Sequence, residues 1–221
     1  MKRFFSVFGI LSSICYIGAV ILGGFLFEGY SHIYNTISEL TASGAPALPG
    51  VQILFAAYNL LLILFGIGLF RYSIAFNGTK MRIVSGMLAA IGLLGIGMYF
   101  FPQDPRDIDM TFGGRIHIAL AGMTSVLTMV AILLAGMSFK GHPRFGRLGI
   151  YSYGTFAVLF VTGGLAAVSV ARDSAIGGLF ERLTIGAFIQ WVMVISLCLF
   201  QKKDDDIELV GEKHVTLVRK R

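Results

Sequence analysis

A bundle of six transmembrane α-helices is the fold class this sequence predicts, and three observations predict it. Hydrophobic residues make up 56% of the 221-residue chain, charged residues 14%, and the mean hydropathy is +0.79; soluble domains carry about 25% charged residues. Six apolar stretches each reach the ~20 residues that a helix needs to cross hydrocarbon with its backbone satisfied internally. All five prolines, at 46, 49, 102, 105 and 143, fall between those stretches or at their edges, where none would kink a helix. A large aqueous core would require helices with a polar stripe, and stretch 49–70 has almost no polar position.

In chain order, Met1-Lys2-Arg3 followed by an apolar run to about residue 27 imitates a secretory signal. The run exceeds the usual ~7 to 15 residues and has no small-x-small cleavage site, so span one, 4–27, is read as retained. The remaining spans are placed at 49–70, 83–101, 114–139, 148–170 and 178–200, making residues 1–201 one transmembrane domain. Residues 202–221 form a mixed-charge tail read as a solvated end.

The basic residues supply the topology. With the N-terminus in the cytoplasm, fourteen Lys and Arg fall on the inner segments, and only Arg106, Arg115, Arg172 and Arg182 on the outer ones. The positive-inside rule then puts both termini in the cytoplasm of a multi-pass cell-membrane protein. The formal charge of +6 and pI near 9.5 therefore report membrane orientation; no aromatic-interleaved basic patch suggests nucleic acid. Cys15 and Cys198 both lie in spans and are expected to remain unlinked, packing as small hydrophobes. Gly86/Ala90, Ala121/Ser125 and Gly163/Ala167 are small-residue pairs at the spacing that permits close helix approach. No internal repeat is evident.

Function has to be sought at the edges. No Asp, Glu, Lys, Arg or His stands near the centre of a span; Asn59 and Gln190 are the notable polar groups there, at similar depth and able to pair. Proton relays and ion-coupled transporters ordinarily carry intramembrane charge, which makes a small-molecule transporter the weakest of three readings. The outer edge is the reverse. Loop one contains His32, Asn35, Ser38 and Glu39, with Thr36 and Glu39 in the S/T-x-x-E relation of a capping box and a short helix expected from about 37 to 43, stopped by Gly44 and Pro46. Asp104 sits between Pro102 and Pro105, His117 one turn inside span four, and Glu181-Arg182 on the first turn of span six. These ionisable groups are expected to converge on one vestibule covered by loop one. Arg182 should contact Glu39 or Asp104, and His117 should lie near Asp104.

His117, Asp104, Ser38 and Glu39 are the candidates for any catalysis, His117 foremost because imidazole titrates near neutral pH. His32, Asn35, Ser38, Glu39, Asp104, His117, Glu181 and Arg182 are the candidate ligand-binding set. Only His32 and His117 are histidines on this side, and no Cys-x-x-Cys, His-x-x-x-His or Gly-rich phosphate loop occurs, so no metal and no cofactor is predicted.

The ordered set Tyr34-Asn35-Thr36-Ile37-Ser38-Glu39-Leu40 with Gly44-Ala45-Pro46, then Phe101-Pro102-Gln103-Asp104, His117, and Gly178-Leu179-Phe180-Glu181-Arg182 with Trp191 resembles the prokaryotic membrane proteins grouped as domain of unknown function 998. Where that family often has Gln before the Arg of the last motif, this chain has Glu181. The resemblance covers spans one to six and implies a six-helix membrane protein with an outward-facing polar motif set; it implies no established activity. The leading expectation is binding or processing of a lipid headgroup or amphiphile. The alternative is a non-catalytic accessory or stability protein in which the same residues hold loop one in place.

Overall fold

The computed structural model of the protein describes residues 2–46, 48–73, 78–106, 108–140, 142, 145–172 and 174–201. The expected tail, 202–221, lies outside them. Six helices carry the fold: α1 (Lys2–Leu26), α2 (Pro49–Arg71), α3 (Thr79–Phe100), α4 (Phe112–Lys140), α5 (Gly146–Ala171) and α6 (Gly177–Gln201). Each is long and apolar enough to cross a membrane. Their ends lie within four residues of the expected spans, and the start of α2 coincides with its span. The largest difference is at α3, whose first turn takes in Lys80 and Arg82 ahead of the apolar run, because long basic side chains can extend their charge away from apolar surface.

Each helix packs on its neighbours in sequence, and α6 closes the ring on α1. The interior is filled by Leu62 and Phe65 of α2, Leu88 of α3, Ile132 and Phe139 of α4, Leu159 of α5 and Trp191 of α6, all at most 1% exposed. Trp191 donates its indole N–H to Ser152 Oγ at 2.9 Å, so the one Trp meets a polar partner in an otherwise apolar interior. Gly66 brings α2 against α3: a Cβ there would lie 2.7 Å from the Ser85 carbonyl oxygen. The small-residue pairs read from the sequence are a poorer guide. Gly86 faces open space and Ser125 is exposed, whereas Gly163 is seated near a neighbouring helix, where a Cβ would lie 3.5 Å from Thr184. Small-residue spacing cannot tell an inward face from a lipid-facing one when both faces are apolar.

Asn59 and Gln190 do not pair. Asn59 is buried on α2 against Gly95 of α3, while Gln190 is exposed on α6, with α1 between their helices in the ring. Neither Cys15 nor Cys198 is part of a disulfide.

A clasp and a corner at the loop-one end

Three connections share one end of the bundle: loop one between α1 and α2, the α3–α4 loop and the α5–α6 loop. Loop one is held down first by apolar anchors. Ile37 and Leu40 are buried in a cluster with Ala19 of α1 and Val51 of α2. The expected helix over 37–43 is a single 3-10 turn, Ser38–Thr41, followed by Gly44 at φ +78°. Half of the capping box forms. Thr36 N–H donates to Glu39 Oε1 at 3.3 Å, but the Thr36 hydroxyl also donates to that carboxylate, at 3.1 Å, instead of accepting from the backbone.

The reason is what else Glu39 holds. Its Oε1 accepts both Arg106 Nε and Arg106 Nη2 at 2.8 Å, and its Oε2 accepts the Asn35 side-chain amide. Arg106 also lies 4.1 Å over the Tyr34 ring and donates to the Tyr34 carbonyl at 3.1 Å. A carboxylate this saturated is fixed in place, and charge-assisted bonds are the strong ones. The neighbouring amide, Ile37 N–H, donates to Glu181 Oε2 of α6 at 2.6 Å. Two carboxylates, one from loop one itself and one from α6, thus hold the N–H groups of successive residues of loop one.

Arg182 completes this clasp, and its partner is not the acid expected. Its Nη1 donates to the Asn35 carbonyl at 2.7 Å and to the Gly178 carbonyl at 2.9 Å, its Nε to His32 Nδ1 at 3.2 Å, and its Nη2 to the Tyr30 hydroxyl. Among the described residues the ion pair of Glu39 is made by Arg106, which arrives on the α3–α4 loop and needs no turn of α6 to reach it. The Tyr30 hydroxyl donates onward to the Thr36 carbonyl at 2.7 Å, and burial pushes its pKa up to about 12 against the opposing pull of Arg182. The first turn of α6 uses its free N–H groups here: Gly178 donates to the Tyr34 carbonyl at 3.2 Å and Leu179 to the Ile33 carbonyl at 2.9 Å. Gly178 has to be glycine for this approach, since a Cβ would collide with the Asn35 carbonyl.

Asp104 and His117 form a separate corner where α3 passes into α4. Asp104 accepts the Thr111 N–H at 2.7 Å and the Thr111 hydroxyl at 2.8 Å, and Thr111 Oγ1 accepts the Gly114 N–H at 3.1 Å, which caps α4. His117, 6% exposed, is bonded through Nδ1 to the Phe101 carbonyl at 2.8 Å and makes no recorded bond to Asp104. A carbonyl can only accept, so Nδ1 carries a proton; Nε2 is buried with no partner among the described residues. Ser38 belongs to the 3-10 turn, its carbonyl accepting the Thr41 hydroxyl at 3.4 Å, and no bond joins its hydroxyl to His117 or Asp104. Clasp and corner touch through Ser43 N–H, which donates to the Gln103 carbonyl at 2.8 Å.

The structure therefore brings His32, Asn35, Glu39, Glu181 and Arg182 together and leaves Asp104, His117 and Ser38 outside that network. Tyr30, Arg106 and Thr111 take part in these networks and were not in the candidate binding set. Arg106 could have been found by asking which of four outer basic residues lies nearest in the chain to an ordered turn; Thr111 by its position one residue before α4. Among the described residues no three His, Cys, Asp or Glu side chains form a group able to hold a metal ion.

Below Arg182 a groove of about 420 Å³ runs between α1 and α6, lined by Tyr16, Ile17, Val20 and Ile21, by Ile37 of loop one, and by Gly186, Ile189, Gln190 and Met193. A smaller cavity of about 260 Å³ lies between α5 and α6, on the other side of Gln190.

Six apolar helices in a closed ring, tied at one end by a polar loop, define a multi-pass membrane protein. Over residues 10–198 the chain matches the family described as protein of unknown function (DUF998), and it belongs to that family. No curated protein and no solved structure is found to match it.

Proposed function

We propose that the protein binds an amphiphile of the extracytoplasmic leaflet, with the apolar chain in the α1–α6 groove and the headgroup at Arg182. The observation that supports this is the composition of the groove: mostly apolar, with Gln190 partway along it and Arg182 the one charged residue among its described lining. None of the four recorded hydrogen bonds from that guanidinium ends on a carboxylate, so its positive charge is available to an anionic headgroup. Orientation enters through the bias of Lys and Arg toward the opposite end.

The test is lipid mass spectrometry on protein purified in mild detergent, comparing wild type with Ile17→Trp. That substitution fills the groove from α1 without touching the clasp. Loss of a co-purifying amphiphile from Ile17→Trp, with thermal stability kept, is the expected result. A wild-type lipid profile no different from the bulk membrane, or one unaltered by Ile17→Trp, would overturn the reading.

A second reading has its own observation in favour. The bonds of Glu39, Glu181 and Arg182 end mostly on loop-one backbone and side chains, as they would in an accessory protein whose polar end simply holds a loop shut. Under that reading clasp substitutions alter stability and nothing that is bound.

A further inference from the structure

We infer that the lipid-facing side of α6 is the interface of a homodimer, centred on Gln190. Gln190 stands in the middle of α6 and is exposed. No hydrogen bond to its amide is recorded among the described residues, although the side chain has two donor and two acceptor positions to satisfy. Water could meet that requirement at a surface; hydrocarbon cannot, and an amide facing lipid alone is costly.

The surroundings are shaped for a second helix. Leu179, Leu183, Gly186, Gln190, Leu197 and Phe200 are exposed along this side, with Met193 half-buried among them. Exposure on any helix follows this spacing, so spacing decides nothing; the residue types do. Gly186, one turn before Gln190, has open space where a Cβ would stand, so another backbone can come close beside the amide. The cavity between α5 and α6 lies beside Gln190 on the side away from the α1–α6 groove, leaving room next to the amide for a side chain of the second copy.

A second copy of the chain fits this better than an unrelated helix for a geometric reason. All copies enter the membrane with the same orientation, so a two-fold axis along the membrane normal puts residue 190 of one opposite residue 190 of the other at equal depth. An amide is its own complement: each copy donates through its NH₂ and accepts through its carbonyl. No partner has to be supplied with a matching polar group at the right level.

The experiment uses the full chain in lipid nanodiscs and mild detergent. Self-association is measured by concentration-dependent energy transfer for wild type, Gln190→Leu, Gln190→Asn and Gly186→Ile, with Ile53→Val on α2 as a lipid-facing control. Gln190→Leu is expected to weaken dimerisation about ten-fold, as loss of a pair of interhelical hydrogen bonds in a membrane implies. Gly186→Ile should weaken it by sterics, Gln190→Asn should retain most of it, and the control should change nothing. Gln190→Cys in a background with Cys15→Ser and Cys198→Ser should cross-link to itself under oxidation. A dimer unaffected by Gln190→Leu, or no self-cross-link at 190, would overturn the inference. A monomeric wild type whose Gln190→Leu variant instead loses a co-purified amphiphile would also overturn it, and would assign the amide to the α1–α6 groove.

Discussion

The clasp and the corner sit at the same end of the bundle and are both held by polar side chains, yet they differ in what they leave over. In the clasp, Glu39 takes donors from Arg106, Asn35 and Thr36, and Arg182 donates to four neutral acceptors. In the corner, Asp104 is likewise occupied by Thr111, but His117 keeps a buried Nε2 with no partner among the described residues. Polar density at the end of a span thus measures how much backbone has to be held down. What a region can offer a partner is measured by the groups not already engaged.

The largest effect should come from the clasp. Glu39→Ala leaves Arg106 and Asn35 without their acceptor in a region where Glu39 is 9% exposed. Breaking a fully buried pair costs about 3 to 5 kcal/mol; the Arg106 side chain is 25% exposed, and screening there brings the expectation to about 2 to 3 kcal/mol. Thermal unfolding in detergent, with protease cleavage within residues 28–46 as a second readout, checks it. Asp104→Ala in the corner removes two bonds to one exposed residue, Thr111, and should cost about 1 to 2 kcal/mol without opening loop one. Equal losses, or loop-one cleavage in Asp104→Ala, would erase the distinction between the two regions.

His117→Leu sharpens it further. With Nε2 unpartnered, an apolar replacement of similar size forfeits only the bond to Phe101, and the expected loss is about 1 kcal/mol. A loss of several kcal/mol would mean that Nε2 holds a water or ligand whose removal is felt.

How much of this could be read in advance varies with the kind of interaction. The six helices were legible because an apolar run of ~20 residues has few other folds open to it. Loop one as a covering segment was legible from Thr36, Glu39 and Gly44, whose side chains and backbone preferences act within a few residues. The split of clasp from corner was not. It depends on Arg106 reaching Glu39 from 67 residues away, and every acid at this end was an equally good electrostatic partner on paper. The engagement of Asp104 by Thr111 was hidden for the opposite reason: it is a local cap that looks, in a list of charged residues, like a free carboxylate.

The smallest expected effect tests whether the clasp responds to pH. His32 accepts the Arg182 Nε–H through Nδ1, which requires a neutral imidazole. Partial burial, and then the charge of Arg182, hold its pKa below the usual 6.5. The sign follows from that depression: the bond is fully present above the unfolded-state value, and its contribution is lost as pH falls through the lower folded-state value. Tyr30, whose ring meets His32 edge-on at 5.4 Å, stays neutral throughout because its pKa is about 12. The contribution of His32 to thermal stability, read as the difference between wild type and His32→Gln, should therefore decline as pH is lowered from about 8 to about 5, beginning near the ordinary histidine range. Because His32 is exposed, the change should be smaller than that of any clasp substitution. His32→Gln, which keeps an acceptor but cannot titrate, should flatten this part of the profile. A profile that His32→Gln leaves unchanged would move the pH response to the carboxylates and take His32 out of the clasp as a working member.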